Sequence, residues 1–333
     1  MSDLPLRFLE NWPLAAWAGR VILIGVSGGA DSVALLRLMA EAVDDNARSR
    51  MWAIHVNHRL RGDASDGDLA FVRELSGKLG VNFRSFSLSP ALLEQQSAGL
   101  GIEAAARQAR YAAFKEAACE VEARYLVTAH HQDDQIETVL HRILRGTGVA
   151  GLRGIASARQ WLPGVGLVRP MLPFTRAEIV DYLQRCDQDW REDASNQTLE
   201  FTRNKIRQQT LPSLREDFGS QVDTSLVRLA EQARQCQEVI DDLVSDLYDT
   251  AVWQEGDGSV RVDLRKIRQQ RPYLVQELMV RIWTERNWSR QDMSQVAWQK
   301  LAELAMSSQQ VTTDMLPGAI RALRDGDFLI LQR

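Results

Sequence analysis

Residues 21–32, VILIGVSGGADS, constrain the fold of this chain more than any other stretch. A continuous apolar run ends in two glycines and passes into a helical pattern through Val33, Leu35, Leu36, Leu38 and Met39. An uninterrupted apolar strand is typical of one buried on both faces, as in a parallel sheet. The same texture then repeats. MWAIHVN (51–57) reads as a second strand with a helix over about 68–79, and NFRSFSL (82–88) as a third strand. An Ala-rich helix over 103–122 leads to a fourth strand, RYLVTA (124–129). In DDQIETVLHRILR (133–145), Ile136, Val139, Leu140, Ile143 and Leu144 fall along one helical face. Such alternation predicts an α/β fold, a doubly wound parallel sheet of Rossmann-like type.

From about residue 146 to 173 glycines, prolines and short apolar pieces predict a loop-rich stretch. A helix over 175–186 follows, with Thr175 as N-cap and Glu178 completing a capping box. Apolar positions from Leu226 to Leu247 fit a long amphipathic helix, with further helices near 273–286 and 293–306. The ending AIRALRDGDFLILQR predicts a hairpin around Asp325–Gly326. The expected organisation is therefore an α/β domain over 1–215, the one that would carry the chemistry if the glycine loop at 27–32 binds a nucleotide, and a second, mainly helical domain over 216–333.

Composition narrows the function classes. Apolar residues are 45% and charged residues 25%, which excludes a disordered or collagen-like chain. No apolar run approaches the roughly 18 residues of a membrane helix, and the N-terminus does not read as a signal peptide, so a cytoplasmic protein without membrane association is expected. Cys119, Cys186 and Cys236 lie too far apart for a CxxC pair. The net charge of −4 conceals basic stretches: residues 261–290 carry eight Lys or Arg against three acids. Local basic surface matters more than net charge for a polyanionic partner. Trp283 and Trp288 in that stretch are expected to be core.

SGGADS (27–32) sits between a strand and a helix. Consecutive glycines let backbone N–H groups approach an anion, and the helix N-terminus favours phosphate. Ser27 and Ser32 add hydroxyl donors, so Ser27, Gly28, Gly29, Ala30, Asp31 and Ser32 form the candidate nucleotide loop. It is neither a Walker loop nor a dinucleotide fingerprint. Asp31 beside phosphates implies an intervening divalent cation, Mg²⁺, unless it merely caps the helix.

The loop resembles the SGGxDS motif of the N-type ATP pyrophosphatases, the PP-loop superfamily, whose members cleave ATP to AMP and pyrophosphate while adenylating a substrate oxygen. HVNHRLRGDASDGD (55–68), IEAAARQARY (102–111), TAHHQDDQIET (128–138) and LRGTGVAGLRGI (144–155) extend the resemblance. So do VRPMLPFTRAEI (168–179) and WREDASNQTLEFTRNKIR (190–207). Together they resemble the tRNA(Ile)-lysidine synthetase family, and LPGAIRALRDGDFLIL is similar to the close of that family's first C-terminal domain. The further C-terminal domain of some members is not expected here. The resemblance implies ATP and Mg²⁺ as cofactors, and L-lysine and a CAU-anticodon tRNA(Ile) as partners. The implied reaction joins lysine to C2 of the wobble cytidine by adenylation of its oxygen. The product, lysidine, is read at AUA instead of AUG.

His130, Asp134 and Glu137 fall near one helical face, where like charges would be relieved by a bound cation. Matching the family motif, Asp134 and Glu137 are expected to bind lysine, with His130 and Asp133 beside them. First-turn acids are also favoured by the helix dipole without any ligand. Arg107 and Arg110, three apart on one helix, are candidates for the ATP phosphates, Arg110 first, with an ion pair to an acid such as Glu103 as the bland alternative. His55 and Asn57 are expected to line the adenosine pocket, with His58 nearby. Catalysis is assigned to Asp31, Arg110, His130 and Asp134, and Asp31, His130 and Asp134 all remain open as the base. Arg145, Arg176, Arg203, Asn204 and Arg207 are candidate tRNA contacts. The rival readings are a 2-thiolase of the same superfamily, which would need reactive cysteines, and a nucleotide- or RNA-binding module without catalysis.

Overall fold

The computed structural model describes residues 4–57, 63–88, 102–191, 202–256, 258–290, 293–307 and 315–333. They form two compact units, Met1–Glu231 and Gln232–Arg333.

The first unit is built on a six-stranded sheet of order β3-β2-β1-β4-β6-β5. Its strands are β1 (Ile22–Gly25), β2 (Met51–Asn57), β3 (Asn82–Ser87), β4 (Tyr125–Val127), β5 (Ala158–Leu162) and β6 (Val165–Val168). All neighbours are parallel except the edge strand β5, which runs antiparallel to β6. β1 is central, with Ile22 opposite both Met51 and Tyr125. Alternation along it feeds two cores. Ile22 and Ile24 pack with Val33, Leu36 and Met39 of the helix Ala30–Glu41, whereas Leu23 packs with Ile54, Phe114 and Leu126 on the opposite face. At Gly25 an added Cβ would lie 3.0 Å from the Phe114 ring, so the glycine lets the helix Ile102–Glu120 approach the sheet. Strand order reverses between β1 and β4, which makes the crevice at their C-terminal ends the place for a ligand.

The doubly wound sheet expected from the alternation is present, as is the Thr175 capping box. The stretch 146–173 departs from expectation, because β5 and β6 lie within it. β6 is only four residues, VGLV, and its glycine breaks the apolar run that would have revealed a buried strand.

In the second unit a four-stranded antiparallel sheet, β7-β8-β10-β9, stands beside the expected helices Pro272–Glu285 and Gln295–Met306. Its strands are β7 (Val252–Gln254), β8 (Val260–Asp263), β9 (Arg321–Asp325) and β10 (Phe328–Gln332). The β9–β10 hairpin was legible, its turn using positive φ at Gly326. β7 and β8 were not, being too short to show alternation. Trp283 is fully buried and meets Trp288 and Trp298 edge-on at centroid distances of 4.9 and 5.2 Å, which makes Trp283 and Trp288 core. Among the described residues no helix is long and apolar enough to cross a membrane.

Candidate active site

Two strand-to-helix turns stand side by side in the crevice. After β1, Gly28 adopts φ +98° and Gly29 caps the helix Ala30–Glu41 without a side chain, which leaves backbone N–H groups at the helix start. The turn is tied internally. Ser27 N–H donates to Ser32 Oγ at 3.1 Å, and Ser32 Oγ donates to Gly29 O at 2.9 Å. The Arg191 N–H donates to Gly28 O at 2.9 Å, and its guanidinium bonds Asp68 at 3.1 Å. The loop is therefore shaped by the protein's own hydrogen bonds.

After β4, residues 128–131 lead into the helix Gln132–Leu144. Asp134 turns back to accept from the His131 N–H at 3.0 Å. The His131 ring is 3% exposed, with Nε2 at 3.6 Å from both Asp31 and Asp134 and Nδ1 at 3.4 Å from Asp133. Burial opposes charge on His131, but the three carboxylates outweigh it and hold its pKa above the usual histidine value. The His131 contact and the Arg176 N–H carry Asp133 down to about 2 against burial.

His130, next in the chain, is shifted the opposite way. Its Nδ1 lies 3.0 Å from Thr128 Oγ1, and burial, helped by Arg169, Arg203 and Arg107, lowers its pKa to about 4 despite the raising influence of Asp134. One histidine is thus pushed towards its neutral form and its neighbour towards its charged form.

A helical run from Thr202 to Phe218 covers the acids. It widens to a π turn over Ile206–Thr210, next to Pro212, which has no amide to donate. Ile206 and Leu211 pack with Ile136 and Leu140 of the acid helix. This seats Arg203 on Asp134 (2.7 Å) and Glu137 (2.9 Å), and Arg207 on Glu137 (2.5 and 3.1 Å). Glu137 is 2% exposed, and a carboxylate so buried requires such partners. Burial disfavours charge on Asp134, yet His131 and Arg203 keep its pKa below the usual carboxylate range.

The structure brings Ser27 to Ser32, His130, Asp133, Asp134 and Glu137 into this crevice. It also draws in three residues expected at the tRNA surface. Arg203 and Arg207 face the acids, and Arg176 Nη1 lies 2.6 Å from both Asp31 oxygens. Asn204 is half-buried in the same run. Arg145 stands apart, exposed beside Ile143 and Leu144 at the helix end. Arg107, stacked on Tyr111 at 5.1 Å, is within electrostatic reach of His130, and both Arg107 and Arg110 are exposed on the same helix. His55 and Asn57 are buried and engaged by protein: His55 Nδ1 meets Val26 O at 2.9 Å, and Asn57 donates to Asp66 at 3.1 Å. His58 lies outside the described residues. Of the basic stretch, Arg261, Arg265, Arg268 and Arg281 each pair with a nearby acid.

Sequence reasoning missed His131, Arg191 and Arg169. His131 was within the quoted TAHHQDDQIET motif, and its place directly before the helix was the available signal. Arg169 is 5% exposed, donates to Ala156 O at 2.6 Å, and leaves its Nε without a partner. Among the described residues no three His, Cys, Asp or Glu side chains could hold a metal together. Asp31 fits Mg²⁺ in another way, as a single carboxylate acting with substrate phosphates, and its two oxygens already attract a cationic group.

The PP-loop domain model matches residues 7–214. The tRNA(Ile)-lysidine synthase of Chlorobaculum tepidum is 39% identical over 251 residues, covering 75% of this chain and 74% of that one. The enzymes of that name from Bacillus cereus (strain ATCC 10987) and Bacteroides thetaiotaomicron are 35% and 36% identical, each over 73% of this chain but only 50% and 53% of their own length. A U34-tRNA thiolase from Methanococcus maripaludis shares the fold, with a TM-score of 0.52 at 14% identity over 68% of this chain and 76% of that one. A phosphate loop joined to a cluster of acids, the matched domain and these relatives agree: the chain belongs to the PP-loop family and, within it, to the tRNA(Ile)-lysidine synthases.

Proposed function

We propose that the protein ligates free L-lysine to C2 of the wobble cytidine in a CAU-anticodon tRNA(Ile), consuming ATP and releasing AMP and pyrophosphate in the cytoplasm. The observation that carries this reading is the buried His131 ring, 3.6 Å from the loop carboxylate Asp31 and 3.6 Å from Asp134 among the acids. It ties an anion cradle to a cation cradle, as a reaction between a nucleotide and an amine requires.

In the first step the cytidine C2 oxygen attacks the α-phosphorus of ATP and pyrophosphate leaves. The N–H groups at the start of the helix Ala30–Glu41 and the Ser27 hydroxyl would hold the departing phosphates, and Ser32 would do so once its hydroxyl turns from Gly29 O. Asp31 would hold Mg²⁺, which when bound neutralises phosphate charge.

In the second step the lysine ε-amine attacks C2 and AMP leaves. Asp134 and Glu137 would receive the ammonium, sharing their oxygens with Arg203 and Arg207. The attacking amine must first lose a proton, and Asp31, His130 and Asp134 are the candidates to take it, His130 being the weaker base of the two histidines with its pKa lowered to about 4. Burial, more than the nearby arginines, lowers the His130 pKa, while Asp134 and Glu137 favour the charged ammonium until the proton is taken. Arg110 and Arg107 would bear on the transferred adenylyl group. Arg145 and Asn204 remain the proposed tRNA contacts, and the basic surface of residues 216–333 would add to them.

The test is incorporation of labelled lysine into CAU-anticodon isoleucine tRNA with ATP and Mg²⁺, beside a methionine tRNA and a wobble-uridine variant. Incorporation into the cytidine-bearing isoleucine tRNA alone, with one AMP per lysine, is expected. AMP formation without lysine incorporation would move the reading to another nucleophile.

A further inference from the structure

We propose that Arg176 is a ligand of the ATP β,γ-phosphates, held on Asp31 until the nucleotide arrives; this rests on the ligase reading above. Arg176 opens the helix Arg176–Arg185, whose start is fixed independently of its side chain. The Thr175 hydroxyl accepts from the Glu178 N–H, and Glu178 accepts from the Thr175 N–H at 2.8 Å. Ile179, Tyr182 and Leu183 anchor the helix in the core beneath the loop. The Arg176 N–H donates to Asp133 at 3.0 Å. From this fixed base the side chain reaches across to the phosphate loop.

Only Nη1 meets Asp31, at 2.6 Å from both oxygens, and half of the side chain is exposed. A guanidinium has five N–H donors in a planar fork suited to phosphate, and among the described residues Asp31 engages only Nη1, which leaves Nε and Nη2 to serve a nucleotide. An ion pair this exposed contributes little to stability, and the arginine can shift from Asp31 to phosphate at low cost. The placement also answers the question posed by a carboxylate inside a phosphate loop. Arg176 places a cationic group on both Asp31 oxygens, the oxygens that would hold Mg²⁺. The surroundings agree: Asp31 also faces the His131 ring at 3.6 Å, so the loop carboxylate is bracketed by cationic groups on the acid side. Arg176 therefore acts on ATP rather than on tRNA.

Equilibrium binding of ATP and of AMP to the full chain, by calorimetry with and without Mg²⁺, tests this in wild type, Arg176→Ala and Arg176→Lys. Arg176→Ala is expected to weaken ATP binding about tenfold, leave AMP binding within about twofold, and leave tRNA affinity in a filter assay unchanged. Arg176→Lys should recover part of the loss. Since the helix is capped by Thr175, Arg176→Ala should retain the wild-type thermal midpoint, and Arg176→Gln serves as a second variant if it does not. Equal weakening of ATP and AMP, unchanged ATP binding, or a loss confined to tRNA would each overturn the proposal. Failure of wild type to incorporate lysine despite binding ATP would overturn the ligase reading and leave the phosphate role of Arg176 standing.

Discussion

The turns after β1 and β4 are built alike yet hold opposite charges. Each leaves the C-terminal end of a central parallel strand and opens a helix whose free N–H groups make that end positive. After β1 the first helical turn carries one acid, Asp31, and glycines expose the backbone, so the positive end remains available to phosphate. After β4 the first turn carries Asp133 and Asp134, with Glu137 one turn on. These acids exceed what the dipole provides, and the protein answers with Arg203, Arg207, Arg215 and a His131 whose pKa they raise. The comparison teaches that the fold supplies two equivalent platforms, and that side chains in one helical turn decide which ion each receives.

The comparison can be broken from either side. The largest effect is expected at the phosphate turn, where Asp31→Ala should lower tRNA-dependent AMP formation by about 100-fold or more. Full activity in that variant would remove Asp31 from the account. On the acid side, Glu137→Ala takes the buried carboxylate from Arg203 and Arg207 and leaves them Asp134, at 2.7 and 3.5 Å. One-sided loss of a buried pair costs about 3–5 kcal/mol, and because both arginines are about a third exposed the lower end is expected, read as a reduced urea midpoint. An unchanged midpoint would mean that the arginines are not held by Glu137.

Gly28→Ala sharpens the contrast, because only the phosphate turn depends on positive φ. The substitution should cost about 1–3 kcal/mol in local strain and weaken ATP binding while lysine KM stays constant. A shift in lysine KM alone would contradict it.

The two histidines differ in pH response. His131 has its pKa raised, so its contribution is whole below about pH 6.5 and fades as pH rises through the folded value. His130 is lowered to about 4, so as pH falls from about 6.5 to 4 the unfolded chain takes up a proton that the native state does not, and stability declines. His131→Asn should flatten the alkaline limb of Tm against pH, and His130→Asn the acid limb above pH 4. Identical profiles in both variants would refute the assignment of opposite shifts. The smallest effect is expected at Arg145→Ala, a few-fold loss of tRNA affinity with a shallower salt dependence and unchanged ATP binding.

Much of this contrast was readable from residues alone. The strand–glycine–helix signature of 21–32 and the Ile136, Val139, Leu140 spacing placed both helices correctly, because buried apolar periodicity is a local property. The partners of the acids were not readable. Arg203 and Arg207 reach Glu137 across 66 and 70 residues, and Arg176 reaches Asp31 across 145, distances over which periodicity carries no information. A basic run therefore reads as a surface even when the fold turns it onto a buried acid. β5 and β6 escaped for a related reason, since their pairing is set by tertiary contact and their residues are few.

The most direct test of two turns serving two half-reactions is a single-turnover experiment on Asp134→Asn, following pyrophosphate release and lysine incorporation in the same samples with cognate tRNA. The account predicts that pyrophosphate is still released in a tRNA-dependent burst, while lysine incorporation falls and is partly restored by high lysine. Loss of the burst in step with lysine incorporation would show that the acid turn is needed for adenylation itself, and would contradict the division of labour between the turns.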